Sequence, residues 1–323
     1  MNAANEISRS HALWTAAPGR AELRSGVLGP LAPGHVRVRA LVSGISKGTE
    51  GLVFKGQVPE SEWERMRCPF QEGAFPHPVK YGYAMVGESG GRRVFSLHPH
   101  QSLFDIPAGS AIPVPDAVPT ERAVLAPQME TALNATWDAD VQPGQRIAVI
   151  GAGVIGLLTA YLCAREGAEV TVTDINPARA AVAQALGLAF AAPDQAPGDR
   201  DLVFHASASA AGLNLALSLA RFEGTVIELS WYGDQPVSVN LGAAFHSRRL
   251  TLKASQVGHV APSRRATYDY TRRLTEALAL CADPRLDILV AARTPLAEMP
   301  SRMGDILADP DTLCHLIQYP ETA

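Results

Sequence analysis

Thiols are scarce in this sequence. The four cysteines, Cys68, Cys163, Cys281 and Cys314, stand far apart, and none forms a Cys-x-x-Cys pair. Neither a disulfide framework nor a cysteine zinc cluster is expected from such spacing. Buried or reduced thiols fit it better. Basic residues are not in excess either, since 28 Lys and Arg stand against 32 Asp and Glu, a formal net charge of -4. The electrostatic footprint of a nucleic-acid partner is therefore missing. No apolar run approaches the roughly 20 residues that a membrane-spanning helix needs. The first residues, Met1 to Trp14, lack the charged-then-apolar layout of a secretion signal. A soluble cytoplasmic protein, with neither a nucleic-acid nor a membrane partner, is the expectation. There is no internal repeat and no low-complexity tract.

What is present is length and a glycine turn. The 323 residues are enough for two domains, each with a core of its own. Ile147 to Ile150 form a continuous apolar run, as in a strand buried on both faces of a parallel sheet. Gly151-Ala152-Gly153-Val154-Ile155-Gly156 follows. In this pattern Gly151 permits a sharp turn, Gly153 lets the backbone approach a pyrophosphate, and Gly156 lets the next helix pack against the strand. The N-terminus of that helix offers free N–H groups to the phosphates. A second strand, Glu169 to Thr173, ends at Asp174. An acid at this spacing hydrogen-bonds the adenine ribose hydroxyls. It also repels a 2′-phosphate, so NAD is expected over NADP, although Arg179 could partly offset this. Ile175 belongs to the same expected site.

The first hundred residues read as short alternating strands parted by Pro and Gly turns, His35 to Val42 being the clearest. Three loops interrupt them. Ser43 to Glu50 gathers a lysine, hydroxyls and a carboxylate around two glycines, which is also what a helix start capped by Ser46 or Thr49 would look like. Pro78 to Glu88 holds Tyr81 and Tyr83, which could simply flank one face of a strand. His98-Pro-His100 has the look of a metal pair, but no third ligand stands at a recognisable spacing. Residues 120–138 have helical spacing. After Asp174 the spacing predicts a helix from Ala178 to Leu186, a strand from Asp201 to Ser207, a helix from Leu213 to Phe222, a strand from Thr225 to Ser230 and a strand from Leu250 to Gln256. This alternation is the doubly wound α/β pattern, whose ligands sit at the C-terminal strand ends, near Ser207, Ser230, Trp231 and Tyr232. A long helix is expected from Arg264 to Leu280, then a strand, a helix over Pro300 to Leu307 and a strand over Leu313 to Tyr319.

This layout resembles the medium-chain dehydrogenase/reductase superfamily over essentially the whole chain. The resemblance implies an α/β protein: a β-rich, GroES-like barrel domain over 1–122 and 262–323, and a Rossmann domain over 123–261. Zinc alcohol dehydrogenases of that superfamily carry a Gly-Ile-Cys-x-Thr-Asp loop, a Gly-His-Glu motif and a four-cysteine lobe. Here the first reads Gly44-Ile-Ser-Lys-Gly-Thr-Glu50, one residue longer, with Ser46 or Lys47 in the place of the cysteine. The second reads Gly82-Tyr83-Ala84, and the lobe is missing. Ser, Lys and Tyr are poor replacements for thiolate and imidazole on zinc. No zinc is expected. The Ser-Gly-Ile-Ser-x-Gly-Thr-Glu form, the tyrosine after Gly82 and the stretch from Asp309 to Ile317 are similar to the bacteriochlorophyllide a dehydrogenase family within a zinc-free branch.

The resemblance implies an NAD(P)-dependent oxidoreductase of an alcohol/carbonyl pair, with a side-chain alcohol or ketone on a conjugated ring as one substrate class. Side chains must then handle the proton that zinc chemistry usually governs. Lys47 and Tyr83 are the expected donors, with Ser46 beside them, Thr49 as relay and Glu50 as orienter, on loops that by family position face the nicotinamide. His98 or His100 could pass a proton to solvent. Thr131, Ser230 and Trp231 resemble residues that hold the nicotinamide, and a homodimer joined near Leu250 to Gln256 is common in the family. An enoyl or quinone reductase of the same fold, or a dinucleotide-binding sensor without catalysis, are the alternatives.

Overall fold

A computed structural model describes residues 8–290 and 292–320. The chain divides into two compact units: Met1–Pro127 with Cys281–Asp283 and Val290–Ala323, and Gln128–Leu280 with Pro284–Leu289.

The first unit begins with strands β1 (Ser8–Ala17), β2 (Arg20–Leu28) and β3 (His35–Ile45), then helix α1 (Lys47–Lys55). Six short strands follow: β4 (Glu72–Gly73), β5 (Val79–Lys80), β6 (Met85–Ser89), β7 (Arg92–Ser96), β8 (Leu103–Pro107) and β9 (Ile112–Pro113). Helices α2 (Thr120–Ala123) and α3 (Ala126–Ala139) lead into the second unit. That unit contains β10 (Arg146–Ile150), α4 (Val154–Arg165), β11 (Glu169–Thr173), α5 (Arg179–Ala185), β12 (Ala189–Ala191) and β13 (Arg200–His205). It continues with α6 (Ala210–Leu219), β14 (Ala220–Glu228), β15 (Thr251–Ala254) and α7 (Tyr270–Leu280). β16 (Ala292–Pro295), α8 (Met299–Ala308) and β17 (His315–Gln318) return to the first unit.

In the first unit, β3 is the central strand. Its first half alternates, with Val38, Ala40 and Val42 turned to the core, as period-2 patterning requires. From Val42 to Ile45 every residue is buried, because β17 pairs along one edge and β6 along the other. The core gathers Leu13, Ile45, Phe54, Met85, Phe104, Met299 and Ile317. β17 pairs antiparallel to β3 in the register Ser43↔Ile317, which carries the C-terminal segment to the start of α1.

The second unit holds a six-stranded sheet in the order β12-β11-β10-β13-β14-β15. All its pairings among the described residues are parallel. The order reverses between β10 and β13, which is where such sheets open a ligand crevice. With the first unit's strands, this makes an α/β chain of a β-rich unit and a doubly wound parallel sheet.

Two expected elements are shorter or shifted. The helix expected from Leu213 to Phe222 starts at Ala210 and stops at Leu219, since Ala220 already pairs with Arg200 as the first residue of β14. The run Leu-Asn-Leu-Ala-Leu-Ser-Leu-Ala is apolar enough for either state. The long helix expected from Arg264 begins only at Tyr270. Arg273 on it is 1% exposed and donates to Glu130 and Asn134 of α3. Arg273 is thus held in a buried ion pair, and the second compact unit runs on to Leu280.

Candidate active site and dinucleotide site

The glycine turn lies between β10 and α4. Gly151 has φ +106°, and a Cβ there would come within 2.8 Å of the Ala206 carbonyl carbon and the Ser207 nitrogen. A Cβ on Gly156 would fall 1.9 Å from the Gly151 carbonyl oxygen. Both positions require glycine by contact within the chain. Gly153 does not: a Cβ there meets nothing within 4 Å, and the residue is exposed. The missing side chain at Gly153 suits the close approach of a phosphate. No side chain caps the α4 N-terminus, which leaves the N–H groups of Val154, Ile155 and Gly156 in the first turn for an anion. Asp174 secures the turn, accepting from the Ala152 N–H at 2.6 Å and from the Asn176 N–H at 2.8 Å. These residues fit a dinucleotide.

Around this turn, Ile175 is 88% exposed beside Asp174, while Arg179 is buried. Past β13, Ser207 Oγ bonds His205 Nε2 at 2.7 Å. Past β14, Ser230 Oγ accepts from the Ala208 N–H at 3.0 Å, and Trp231 follows, half-buried. Thr131 is half-buried on α3.

In the first unit, the start of α1 meets the turn before β6. Tyr83 Oη donates to Ser46 Oγ at 2.6 Å. Burial raises the Tyr83 pKa to about 12, with Ser46 and Thr49 pulling it back and Glu50 and Cys68 adding to the rise. Glu50 is 4% exposed. It reaches back to accept from the Ser46 N–H at 2.7 Å, so a carboxylate closes the N-terminus of α1. Its other oxygen meets His100 Nε2 at 2.9 Å. His100 Nδ1 meets Ser43 Oγ at 2.7 Å, and Ser43 meets Tyr319 Oη at 2.8 Å. Gly82 has φ +125°, and a Cβ on it would lie 2.9 Å from His100 Nε2.

Ser46, Thr49, Glu50 and Tyr83 are thus brought together as the sequence suggests. Lys47 is turned elsewhere: its ammonium donates to the Asp309 carbonyl at the C-terminus of α8, where a cation is favoured. His98 does not reach solvent. Its ring lies between Phe70 and Phe104, at 5.4 and 3.7 Å between centroids, and burial pushes its pKa down to about 3. His100, Ser43 and Tyr319 complete a buried chain that the sequence does not flag as one group. Among the described residues, no group of three or more His, Cys, Asp or Glu side chains is arranged to hold a metal ion. The hydroxyls of Ser46 and Tyr83 are not a zinc donor set.

Comparison with known proteins bears on the dinucleotide turn and the fold. The family model of the 3-hydroxyacyl-CoA dehydrogenase NAD-binding domain matches residues 146–192, the glycine turn and the acid after it. L-galactonate-5-dehydrogenase of Escherichia coli K12 is 28% identical over 166 residues, 47% of this chain and 48% of the relative. The chain thus spans about half the length of the curated relatives it matches first. Among solved structures, L-idonate 5-dehydrogenase of E. coli superposes with a TM-score of 0.79 at 12% identity, covering 97% of this chain and 99% of that one. A protein from Sinorhizobium meliloti 1021 described as a zinc-binding dehydrogenase, solved bound to NADP, gives 0.74 at 19% identity over 96% and 99%.

Proposed function

We propose that this chain is a metal-independent, NAD(P)-dependent oxidoreductase of an alcohol/carbonyl pair, of the zinc-free branch that bacteriochlorophyllide a dehydrogenase represents. The observation that supports the metal independence is the Tyr83–Ser46 hydrogen bond, between residues that the resemblance sets against two zinc-ligand positions, Ser46 or Lys47 for the first and Tyr83 for the second. Gly151, Gly153, Val154, Ile155, Gly156 and Asp174 hold the dinucleotide, with Ile175 offering an apolar surface to the adenine. Thr131, Ser207, Ser230 and Trp231 line its other half. When bound, the nicotinamide supplies or accepts the hydride. Asp174, whose carboxylate already accepts two backbone N–H bonds, favours a 2′-hydroxyl and hence NAD, and the buried Arg179 offers a 2′-phosphate little relief.

Tyr83 holds a proton at Oη and gives it to the substrate oxygen as charge develops there. Its high pKa keeps that proton in place at neutral pH. Ser46 receives a hydrogen bond from the phenol or returns it, and with Thr49 steadies the phenolate that remains. Glu50 fixes the start of α1, which fixes Ser46. The substrate oxygen belongs to a side-chain alcohol or ketone on a conjugated ring. The names of the relatives favour a second class, the secondary hydroxyls of sugar acids. The protein acts as a homodimer joined at β15, the sheet's edge strand, whose four residues are all exposed.

A screen of NADH- and NADPH-coupled reduction across ring-bearing ketones and keto sugar acids tests this reading. Turnover without added metal and undiminished by a chelator is expected. Tyr83→Phe, alone or with Lys47→Ala, should lower kcat about 100- to 10,000-fold and leave NADH binding intact. Near-normal kcat in the double variant would remove the proton donor from this account. Tight NADH binding with no turnover of any compound would make the protein a sensor.

A further inference from the structure

At the C-terminal ends of β13 and β14 lies a polar cluster for which hydride transfer gives no reason. His205 and Glu228 face each other across the two strands. The residues before them, Val203, Phe204, Val226 and Ile227, are fully buried and apolar. The His205 side chain is fully buried as well. A pair needed only to hold the sheet would be as apolar as its predecessors, because a buried polar group costs free energy unless it is bonded.

The bonds of this pair run outward to two loops. His205 Nδ1 lies 2.9 and 2.8 Å from the two oxygens of Glu228. The same carboxylate accepts from the Ser230 N–H at 2.7 Å and from Tyr232 Oη at 3.1 Å. His205 Nε2 meets Ser207 Oγ at 2.7 Å, Ser207 meets Ser209 Oγ at 2.9 Å, and Ser209 accepts from the Gly212 N–H at 3.0 Å. One hydrogen-bond direction follows from the carboxylate. It has no proton to give and accepts Nδ1–H. A Cβ on Gly212 would lie 2.1 Å from Ser207 Oγ and 2.8 Å from His205 Nε2, so the first turn of α6 closes directly over the cluster.

We propose that His205, anchored by Glu228, is a positioning residue for the nicotinamide-bearing half of the dinucleotide, through the chain segments at 206–209 and 230–232. This rests on the reading of the glycine turn as a dinucleotide site. Asp174 follows β11, the glycine turn follows β10, and the sheet order then passes to β13 and β14. A dinucleotide anchored by its adenosine at Asp174 and by its pyrophosphate at the turn extends its remaining half over these two segments. The turn already touches the first of them, since Gly151 abuts Ala206 and Ser207. Without the His205 bonds, Ser207 and Ser230 would lose the frame that sets their positions, while Asp174 and the turn would keep theirs.

The test compares two probes on the full chain, NADH and ADP, by calorimetry. ADP carries only the adenosine and pyrophosphate half. His205→Leu should weaken NADH roughly tenfold or more, the usual consequence of stripping a buried hydrogen-bonded group, and leave ADP within about twofold. Glu228→Gln, which retains an acceptor for Nδ1–H, should lose less than His205→Leu. Equal loss of both probes would mean a general structural role and would overturn the proposal, as would no loss of either. Should the leucine variant fail to fold, Glu228→Gln and Tyr232→Phe decide by the same NADH-to-ADP ratio. Wild-type protein that binds ADP but shows no gain for NADH over ADP would also overturn it. Wild-type protein that binds neither probe would instead bring down the dinucleotide reading itself.

Discussion

At Gly82 a single missing β-carbon bears on two neighbours, His100 and Tyr83. The residue is held at φ +125° with His100 Nε2 only 2.9 Å from where its Cβ would be, and Tyr83 is the next residue. Gly82→Ala should cost about 1–3 kcal/mol of stability from backbone strain alone, read as a lowered denaturation midpoint. Tyr83 itself makes a pH argument possible. Its phenol is raised to about 12, so the phenolate fraction grows tenfold per pH unit up to that value. Alcohol oxidation, which needs the phenolate as base, should rise with pH and show no plateau near 10. Carbonyl reduction, which needs the phenol, should stay level over the same range. A plateau in oxidation near 10, in a pH–rate profile on any substrate that turns over, would separate Tyr83 from the proton step.

At the scale of elements, the glycine turn and the strand ends respond to different perturbations. Gly156→Ala forces a Cβ onto the Gly151 carbonyl oxygen. Overpacking of this kind costs about 1–3 kcal/mol and should lower NADH affinity by distorting the turn, measurable by fluorescence titration. Glu228 at the end of β14 responds to acid. Burial alone would raise its pKa, but the hydrogen bond and charge of His205, with the Ser230 bonds, prevail and lower it below the ordinary 4.5. A depressed carboxylate contributes stability that is present above the unfolded value. That contribution disappears as pH falls through the lowered one. Chemical denaturation of wild type and Glu228→Gln between pH 6 and 3 should therefore converge at the acid end.

What the sequence makes legible divides along the same line. The turn from Gly151 to Asp174 is legible because one ligand imposes its demands on contiguous residues. The Ser46–Tyr83 meeting is legible by resemblance alone. Local spacing says nothing of Lys47 at the end of α8, nor of Ser43, His100 and Tyr319 in one chain of bonds. Those contacts join residues far apart in sequence; the pairing of β17 on β3, for one, brings Tyr319 to Ser43. His205 and Glu228 escape notice for the same reason: each ends an apolar strand, and only parallel register makes them partners.

For the whole molecule, the exposed edge strand β15 carries the expectation about assembly. Sedimentation should find a dimer, and Leu252→Glu, which sets like charges near one another across a two-fold axis, should shift it to monomer. Among the described residues no helix is long and apolar enough to cross a membrane. The four thiols are all buried, and burial raises the pKa of each, to about 12 for Cys68, Cys281 and Cys314 and higher still for Cys163. They are inert to alkylation while the fold is closed. Three of them belong to one compact unit and Cys163 to the other. The native chain therefore carries its own pair of clocks: the rate at which iodoacetamide takes Cys163, set against the rate for the other three, times the opening of each unit separately, with no engineered label.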